Sequence, residues 1–293
     1  TYFNDLSHAL MHLQPATDDA GAARKAAKFR IMSIVEGGMG LTDTCDDACA
    51  AVGAFRPDVV VLQDHSTTPA GLHPAESPGA ARAATERKLR EALGPALRQH
   101  LPPGAVVLLF ATWARPQLAF ADGATRARYG VEAMGPDGSE LRMLELLEQG
   151  YLEYARILRE VAAGAFSVRV VPVGRAMYAA RQALPDGGLA DSVFVPGDCR
   201  AHPSGRGTFL AGLVLSRALR GGAMLKEPAY TAMLPPSEIG AESVAVSGSP
   251  AVPLYRWLWE FANQRLEPAA KDDLMLFRLT SSSADERSLP TSS

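Results

Sequence analysis

The sequence predicts an α/β fold in which helices cover both faces of a mostly parallel sheet, a three-layer α/β/α arrangement. Two observations support this prediction. Short, nearly continuous apolar runs alternate along the chain with longer amphipathic stretches, and such runs are typical of strands that are buried on both faces. Repeated strand–helix units favour right-handed crossovers, which make neighbouring strands parallel.

Each predicted element corresponds to a distinct stretch of sequence. Strands are predicted at 28–38 ("KFRIMSIVEGG"), 57–66 ("PDVVVLQDHS"), 104–113 ("GAVVLLFATW") and 167–174 ("SVRVVPVG"). Helices are predicted at 41–54, 79–101, 139–163 and 204–220. Pro203 and Ser204 are start signals for the last helix. Long loops rich in Gly, Pro and Asp are predicted at 115–138 and 174–198, where they could form the walls of a pocket.

The C-terminal part of the chain is less periodic. We expect residues 1–225 to form the α/β domain and residues 226–270 to form an extension. Within that extension, "VPLYRWLWEFANQRL" at 252–266 predicts an amphipathic helix that packs on the domain. Residues 271–293 are predicted to be a disordered tail.

Composition excludes several classes of partner. The 29 Lys and Arg residues nearly balance the 32 Asp and Glu residues, which argues against a nucleic-acid or anionic-membrane surface. No apolar run reaches the roughly 18 residues that span a bilayer, so a soluble chain is predicted. The six histidines are scattered, and no metal site is predicted. Cys45 and Cys49 lie four residues apart in a predicted helix, a spacing that seldom suits a disulfide.

The strongest candidate for acid–base chemistry is His202. In a parallel sheet, reactive groups gather beyond the carboxyl ends of the strands. His202 lies between the loop acid Asp198 and the start of a helix. Asp198 could accept the Nδ1–H of the ring, so that Nε2 takes a proton from a nucleophile. Two alternatives remain open: Asp198 could be an ordinary helix cap, and Asp191 could be the orienting acid instead.

Glycines follow the first predicted strand. Gly37, Gly38 and Gly40 would let backbone N–H groups face a ligand, as an oxyanion hole requires. The alternative is a simple tight turn. The stretch "EGGMGL" lacks the spacing of a dinucleotide-binding fingerprint.

Polar residues follow the second predicted strand. Gln63 can donate its side-chain amide to a developing negative charge. For Asp64 and Ser66 the alternative is a capping and loop-anchoring role, which we expect for at least one of them. Asp64 and His65 are neighbours on a strand and point to opposite faces, so we do not expect them to form one dyad.

Two further side chains follow the third predicted strand. Trp113 and Arg115 could line a pocket for an acyl group or a sugar. Trp113 could equally pack under the 115–138 loop.

Several of these stretches together resemble the SGNH/GDSL hydrolase superfamily. The resemblance lies in "TYFNDL", the double glycine, "VVVLQDHSTTP", "LLFATWARP" and "GDCRAHPSGRGTFLAGLVLSRAL", and covers roughly residues 1–225. It implies a flavodoxin-like sheet and a serine nucleophile from the family's first motif. It also implies Asp198 and His202 as the acid and base, and Gly38 and Gln63 as the oxyanion hole. We further expect Gly37, Ser66 and Trp113 to contact the substrate.

The closest likeness is to a branch whose first motif is a strand followed by Gly-Asn-Ser-x-Thr. Thr1 matches the Thr of that motif, so we expect the nucleophile two positions before residue 1. The first strand, expected between those at 28–36 and 57–63, would then also precede the sequence. Two departures stand out. Three residues separate Asp198 from His202, where the family has two, and Gln63 replaces the family's Asn.

The resemblance implies an esterase or deacetylase that acts on an O-acyl ester, such as acetate on a carbohydrate, without a metal or organic cofactor. We expect the sequence as it stands to be inactive and poorly folded. One alternative is a non-catalytic binding domain that kept the hydrolase fold, and another is a lipid-directed esterase. The compartment stays open, and a secreted or periplasmic parent protein is one option.

Overall fold

The computed structural model describes residues 32, 34, 39–72, 79–115, 140–183, 193–194, 202–220, 251–268 and 277–279. Within these residues the chain combines helices with a parallel three-stranded sheet. The general α/β class predicted from the sequence is therefore confirmed. No helix in this described part is both long and apolar enough to cross a bilayer.

The sheet contains β1 (Val59–Leu62), β2 (Val106–Phe110) and β3 (Ser167–Val171), which lie side by side in chain order. Both pairs are parallel, with Val61 opposite Leu108 in the first pair. Three of the predicted strands are thus confirmed, because their apolar runs are long enough to be buried on both faces. Apart from residues 32 and 34, the predicted strand at 28–38 lies outside the described residues.

The helices of the described part follow the predicted pattern, with one addition. They are α1 (Cys45–Phe55), α2 (Ala80–Lys88), α3 (Gly94–His100), α4 (Glu140–Ala162), α5 (Val173–Ala183), α6 (Gly205–Leu219) and α7 (Ala251–Arg265). The addition is α5, which begins the stretch predicted as a loop at 174–198. That prediction was wrong for its first ten residues, 174–183. Val173, Ala176, Met177 and Ala180 are buried at helical spacing, and their burial stabilises the helix.

The predicted helix at 79–101 is divided by a wide turn. Residues Leu89–Leu93 form a π-helical segment, in which the Gly94 N–H donates to the Leu89 carbonyl five residues earlier. Pro95 has no N–H to donate, which weakens the regular ladder at this point. A Cβ on Gly94 would lie 2.3 Å from the Leu89 oxygen. Only glycine therefore fits this turn without a shift.

Two apolar cores lie among the described residues, and neighbouring side chains of β2 belong to different cores. Val107 and Leu109 lie in the first core, together with side chains of α1, α3 and α4. Leu108 and Phe110 lie in the second core, together with side chains of α5, α6 and α7. This division follows from the alternation of side chains along a strand.

The C-terminal helix α7 confirms the helix predicted at 252–266. Leu258, Phe261 and Ala262 place it in the second core beside α6. The chain continues as β4 (Leu266–Pro268), which pairs antiparallel with β5 (Phe277–Leu279). The tail predicted to be disordered over 271–293 therefore contains one paired strand, because backbone pairing with β4 compensates for its lack of a strong local pattern.

Candidate active site

The ends of β1 and β2 meet at the carboxyl edge of the sheet. Residues 63–66 leave β1, and residues 111–115 leave β2 at the same edge, because the strands are parallel. Nη2 of Arg115 donates to Oγ of Ser66 at 3.2 Å, so the two segments are in direct contact. This edge is the one at which the sequence predicted the functional groups.

Asp64 lies at the centre of a buried hydrogen-bond network. Its side chain is only 1% exposed. Oδ1 accepts from the backbone N–H groups of Leu41 at 2.9 Å and His65 at 2.8 Å. Oδ2 accepts from the hydroxyl of Tyr154 at 3.0 Å and from that of Thr85 at 3.3 Å. The loop-anchoring role considered for Asp64 is thus confirmed.

The electrostatics of this network have two opposing parts. Burial raises the pKa of Asp64 above its ordinary value because the carboxylate loses hydration. The four donors act in the opposite direction, since each one stabilises the ionised form. Burial, followed by the Asp64 charge, also raises the pKa of Tyr151 and Tyr154. Both phenols therefore keep their protons, and Tyr154 can donate to Asp64.

His65 uses its backbone and its ring for different contacts. Its backbone N–H donates to Oδ1 of Asp64. Its ring Nδ1 lies 2.8 Å from Oγ1 of Thr67 and accepts from the backbone N–H of Thr67 at 3.4 Å. A backbone N–H can only donate, so the proton of the neutral ring lies on Nε2. The expectation that Asp64 and His65 do not form one dyad is confirmed.

The turn after β1 is packed tightly against α4. Thr67 and Thr68 are buried, and the Leu72 N–H donates to the Thr67 carbonyl at 2.9 Å. A Cβ on Gly150 of α4 would lie 2.1 Å from the Pro69 oxygen. The turn is therefore held by close backbone contact, which favours a preorganised site.

Of the three glycines considered for an oxyanion hole, Gly40 is described. Its N–H donates to Oδ2 of Asp43 at 2.8 Å and is therefore already used. A Cβ at Gly40 would lie 2.6 Å from Oδ1 of Asp64, so the glycine is required by close approach to the carboxylate. Gly37 and Gly38 lie outside the described residues.

His202 is exposed and lies three residues before Gly205, the first residue of α6. Pro203 forms an isolated antiparallel bridge with Phe194, and the Ser204 N–H donates to the Val193 carbonyl at 2.9 Å. Oγ of Ser204 accepts from the Gly207 N–H at 3.3 Å and caps the helix. The predicted helix start is thus confirmed. Asp198 and Asp191 lie outside the described residues.

The remaining predicted residues occupy different environments. Gln63 is exposed directly after β1. Trp113 is half-buried and packs against the second core. Ser66 is half-buried, and its Oγ accepts a hydrogen bond from Arg115. The structure thus joins Ser66 to the end of β2 and leaves Gln63 accessible to solvent.

Sequence reasoning missed the side chains that surround Asp64. Thr85 comes from α2, and Tyr151 and Tyr154 come from α4. The sequence contains one usable signal. "YLEY" places two tyrosines three residues apart on one helix face, and buried tyrosines usually need a hydrogen-bond partner.

Comparisons with protein-family models, with curated proteins and with solved structures found no match to this chain.

Proposed function

We propose that this protein is a serine ester hydrolase of the SGNH/GDSL type, acting on an O-acyl ester such as acetate on a carbohydrate. The observation that carries the proposal is the carboxyl edge of the parallel sheet. There, exposed Gln63 directly follows β1 and adjoins the buried Asp64 network. An exposed donor on a rigid strand end suits the stabilisation of an oxyanion.

The three-layer arrangement forms part of the same proposal. It is supported by the division of β2 side chains between two cores, each completed by its own set of helices. Such a sheet, with helices on both faces, suits ligand binding beyond its carboxyl edge.

The proposed reaction has two halves. The serine of the family's first motif attacks the acyl carbon, while His202 accepts the serine proton and passes it to the leaving alcohol. Asp198 orients His202, and the Gly38 N–H and the Gln63 amide stabilise the oxyanion. Water, deprotonated by His202, then attacks the acyl carbon of the acyl-enzyme. The bond to the serine oxygen breaks, His202 returns the proton to that oxygen, and the carboxylic acid leaves. Gly37, Ser66 and Trp113 contact the substrate, and no metal or organic cofactor is required.

The central test is His202→Ala in the full-length protein. We expect kcat on an aryl acetate to fall by a factor on the order of 10³ or more. His100→Ala is the matched control. His100 is the last residue of α3 and comes before the amino end of β2, away from the carboxyl edge of the sheet. A loss below tenfold at His202 would contradict the assignment. Asp198→Asn and Asp191→Asn are compared in parallel, and the larger loss identifies the orienting acid.

Gln63→Ala tests the oxyanion hole. Loss of one donor should lower kcat by about 10²- to 10³-fold with little change in KM. Full kcat in this variant would show that the donor is another group.

The alternative is a binding domain that kept the fold without catalysis. It is favoured by the structural hydrogen bonds of two serines, since Ser66 Oγ is bonded to Arg115 and Ser204 Oγ caps α6. A fluorophosphonate probe separates the two functions, because it modifies only an activated serine. Faster turnover of long-chain than of acetyl esters would instead favour a lipid-directed esterase.

A further inference from the structure

We propose that Asp64 is a positioning residue of this site: it holds residues 40–42 against the end of β1 and so determines where Gln63 lies relative to these three residues. The inference rests on the proposed function for its effect on catalysis. The contacts themselves lie entirely within the described residues.

The first contact point is Oδ1. This one oxygen accepts from Leu41, which lies 23 residues earlier in the chain, and from the adjacent His65. It therefore joins the loop before α1 to the end of β1. Both donors are backbone groups, so the contact determines the path of the chain.

The second contact point is Oδ2. Thr85 donates its only hydroxyl proton to this oxygen at 3.3 Å. Oγ1 of Thr42 lies 2.9 Å from Oγ1 of Thr85 and must then be the donor in that pair. Thr42 is thus linked to Asp64 through Thr85.

Gly40 completes the arrangement, since its missing side chain leaves room for the carboxylate. Three successive residues therefore depend on Asp64. Gly40 lies close against its carboxylate, Leu41 donates to it directly, and Thr42 is linked to it through Thr85. Gln63 precedes Asp64 on the same strand end and is exposed while Asp64 is buried. A rigid Asp64 therefore gives Gln63 a rigid backbone, as a preorganised donor requires.

The test is Asp64→Asn in the full-length protein. The amide has nearly the same shape but replaces one acceptor oxygen with a donor. We expect amide exchange at Leu41 and His65 to accelerate at least about tenfold, because their acceptor is weakened. On an aryl acetate, kcat should fall by about 10- to 100-fold while KM changes less than about threefold.

Tyr154→Phe is the matched control, because it removes one donor from Oδ2 and leaves both bonds to Oδ1 in place. It should keep Leu41 protected and kcat within about threefold of the unmodified protein. Gly40→Ala is a second perturbation of the same contact, should Asp64→Asn fail to fold. It should accelerate exchange at Leu41 and lower kcat in the same direction.

The outcomes separate the two proposals. If the amide exchange rate of Leu41 is unchanged in both Asp64→Asn and Gly40→Ala, the positioning role is overturned. Faster exchange with unchanged kcat and KM in an active protein overturns it as well. Absence of esterase activity in the unmodified protein overturns the proposed function, whereas the exchange result still reports whether Asp64 positions the loop.

Discussion

Asp64 and Arg217 are two buried charged side chains, one beside each apolar core, and they serve different parts of the molecule. Asp64 accepts four hydrogen bonds from a loop, a strand end and two helices. Arg217 of α6 is 3% exposed and donates through Nη1 to the carbonyls of Ala262 and Leu266, each at 2.6 Å, and of Asn263 at 3.3 Å.

In both places a buried charge satisfies backbone groups that regular secondary structure leaves unpaired. The last carbonyls of a helix have no partner within that helix. Arg217 supplies a hydrogen-bond donor for carbonyls at the end of α7, although burial lowers the pKa of its guanidinium. Asp64 instead supplies an acceptor for loop N–H groups at the sheet edge. We therefore expect changes at Arg217 to affect global stability and changes at Asp64 to affect the site.

The largest effect is expected for Arg217→Met. Several carbonyls at the end of α7 lose a charged donor while they remain buried, which should lower the free energy of unfolding by about 2–4 kcal/mol. Urea denaturation measures this loss. Arg206→Met, at a partly exposed position of the same helix, should change stability by less than about 0.5 kcal/mol. Equal stability of the Arg217→Met and unmodified proteins would show that these carbonyls do not depend on Arg217.

Smaller effects on the free energy of unfolding are expected at two helical glycines near the first core. The two effects should differ in sign from each other. A Cβ in Gly150→Ala would meet the Pro69 oxygen at 2.1 Å, which should cost about 1–3 kcal/mol. A Cβ in Gly53→Ala meets the His100 ring at 3.5 Å, an ordinary contact, so the better helix propensity of alanine should stabilise by about 0.5–1 kcal/mol. Thermal melts of both variants test the difference. Stabilisation by Gly150→Ala would contradict the close approach at Pro69, whereas destabilisation by Gly53→Ala would contradict the ordinary contact with His100.

The last prediction concerns the reactivity of Cys49 and involves no change in stability. It tests whether burial raises the pKa of this thiol as it raises the pKa of Asp64. Burial, then the neighbouring Cys45, raises the pKa of Cys49 to about 11 from its ordinary 9.0. About a hundredfold less thiolate is then present at pH 8, so iodoacetamide should modify Cys49 on the order of a hundredfold more slowly than in urea. The rate should rise about tenfold per pH unit from 8 to 10. Mass spectrometry of the Cys49 peptide measures it, and equal rates in the folded and unfolded chain would refute the shift.

Local patterns account for most of the described elements and for the errors. The apolar runs of β1 to β3 and the cap at Ser204 act over a few residues, so they could be recognised without a structure. The helix α5 was missed because Gly174 was interpreted as the start of a loop. A Cβ there would lie 2.1 Å from the Thr112 oxygen, so that glycine serves close packing at the end of β2.

The sequence by itself determined the α/β class, the parallel strands and the edge at which polar residues gather, since these depend on periodicity and chain order. Tertiary structure alone decided that Asp64 would be buried and which groups would donate to it. Tyr151, whose hydroxyl accepts from the Asp64 N–H, and Tyr154, whose hydroxyl donates to Oδ2, lie 87 and 90 residues further along the chain. Packing α4 against the sheet removes water from the carboxylate, and the N–H of the adjacent His65 replaces only part of that lost hydration. The other donors, on Leu41, Thr85 and Tyr154, come from distant parts of the chain.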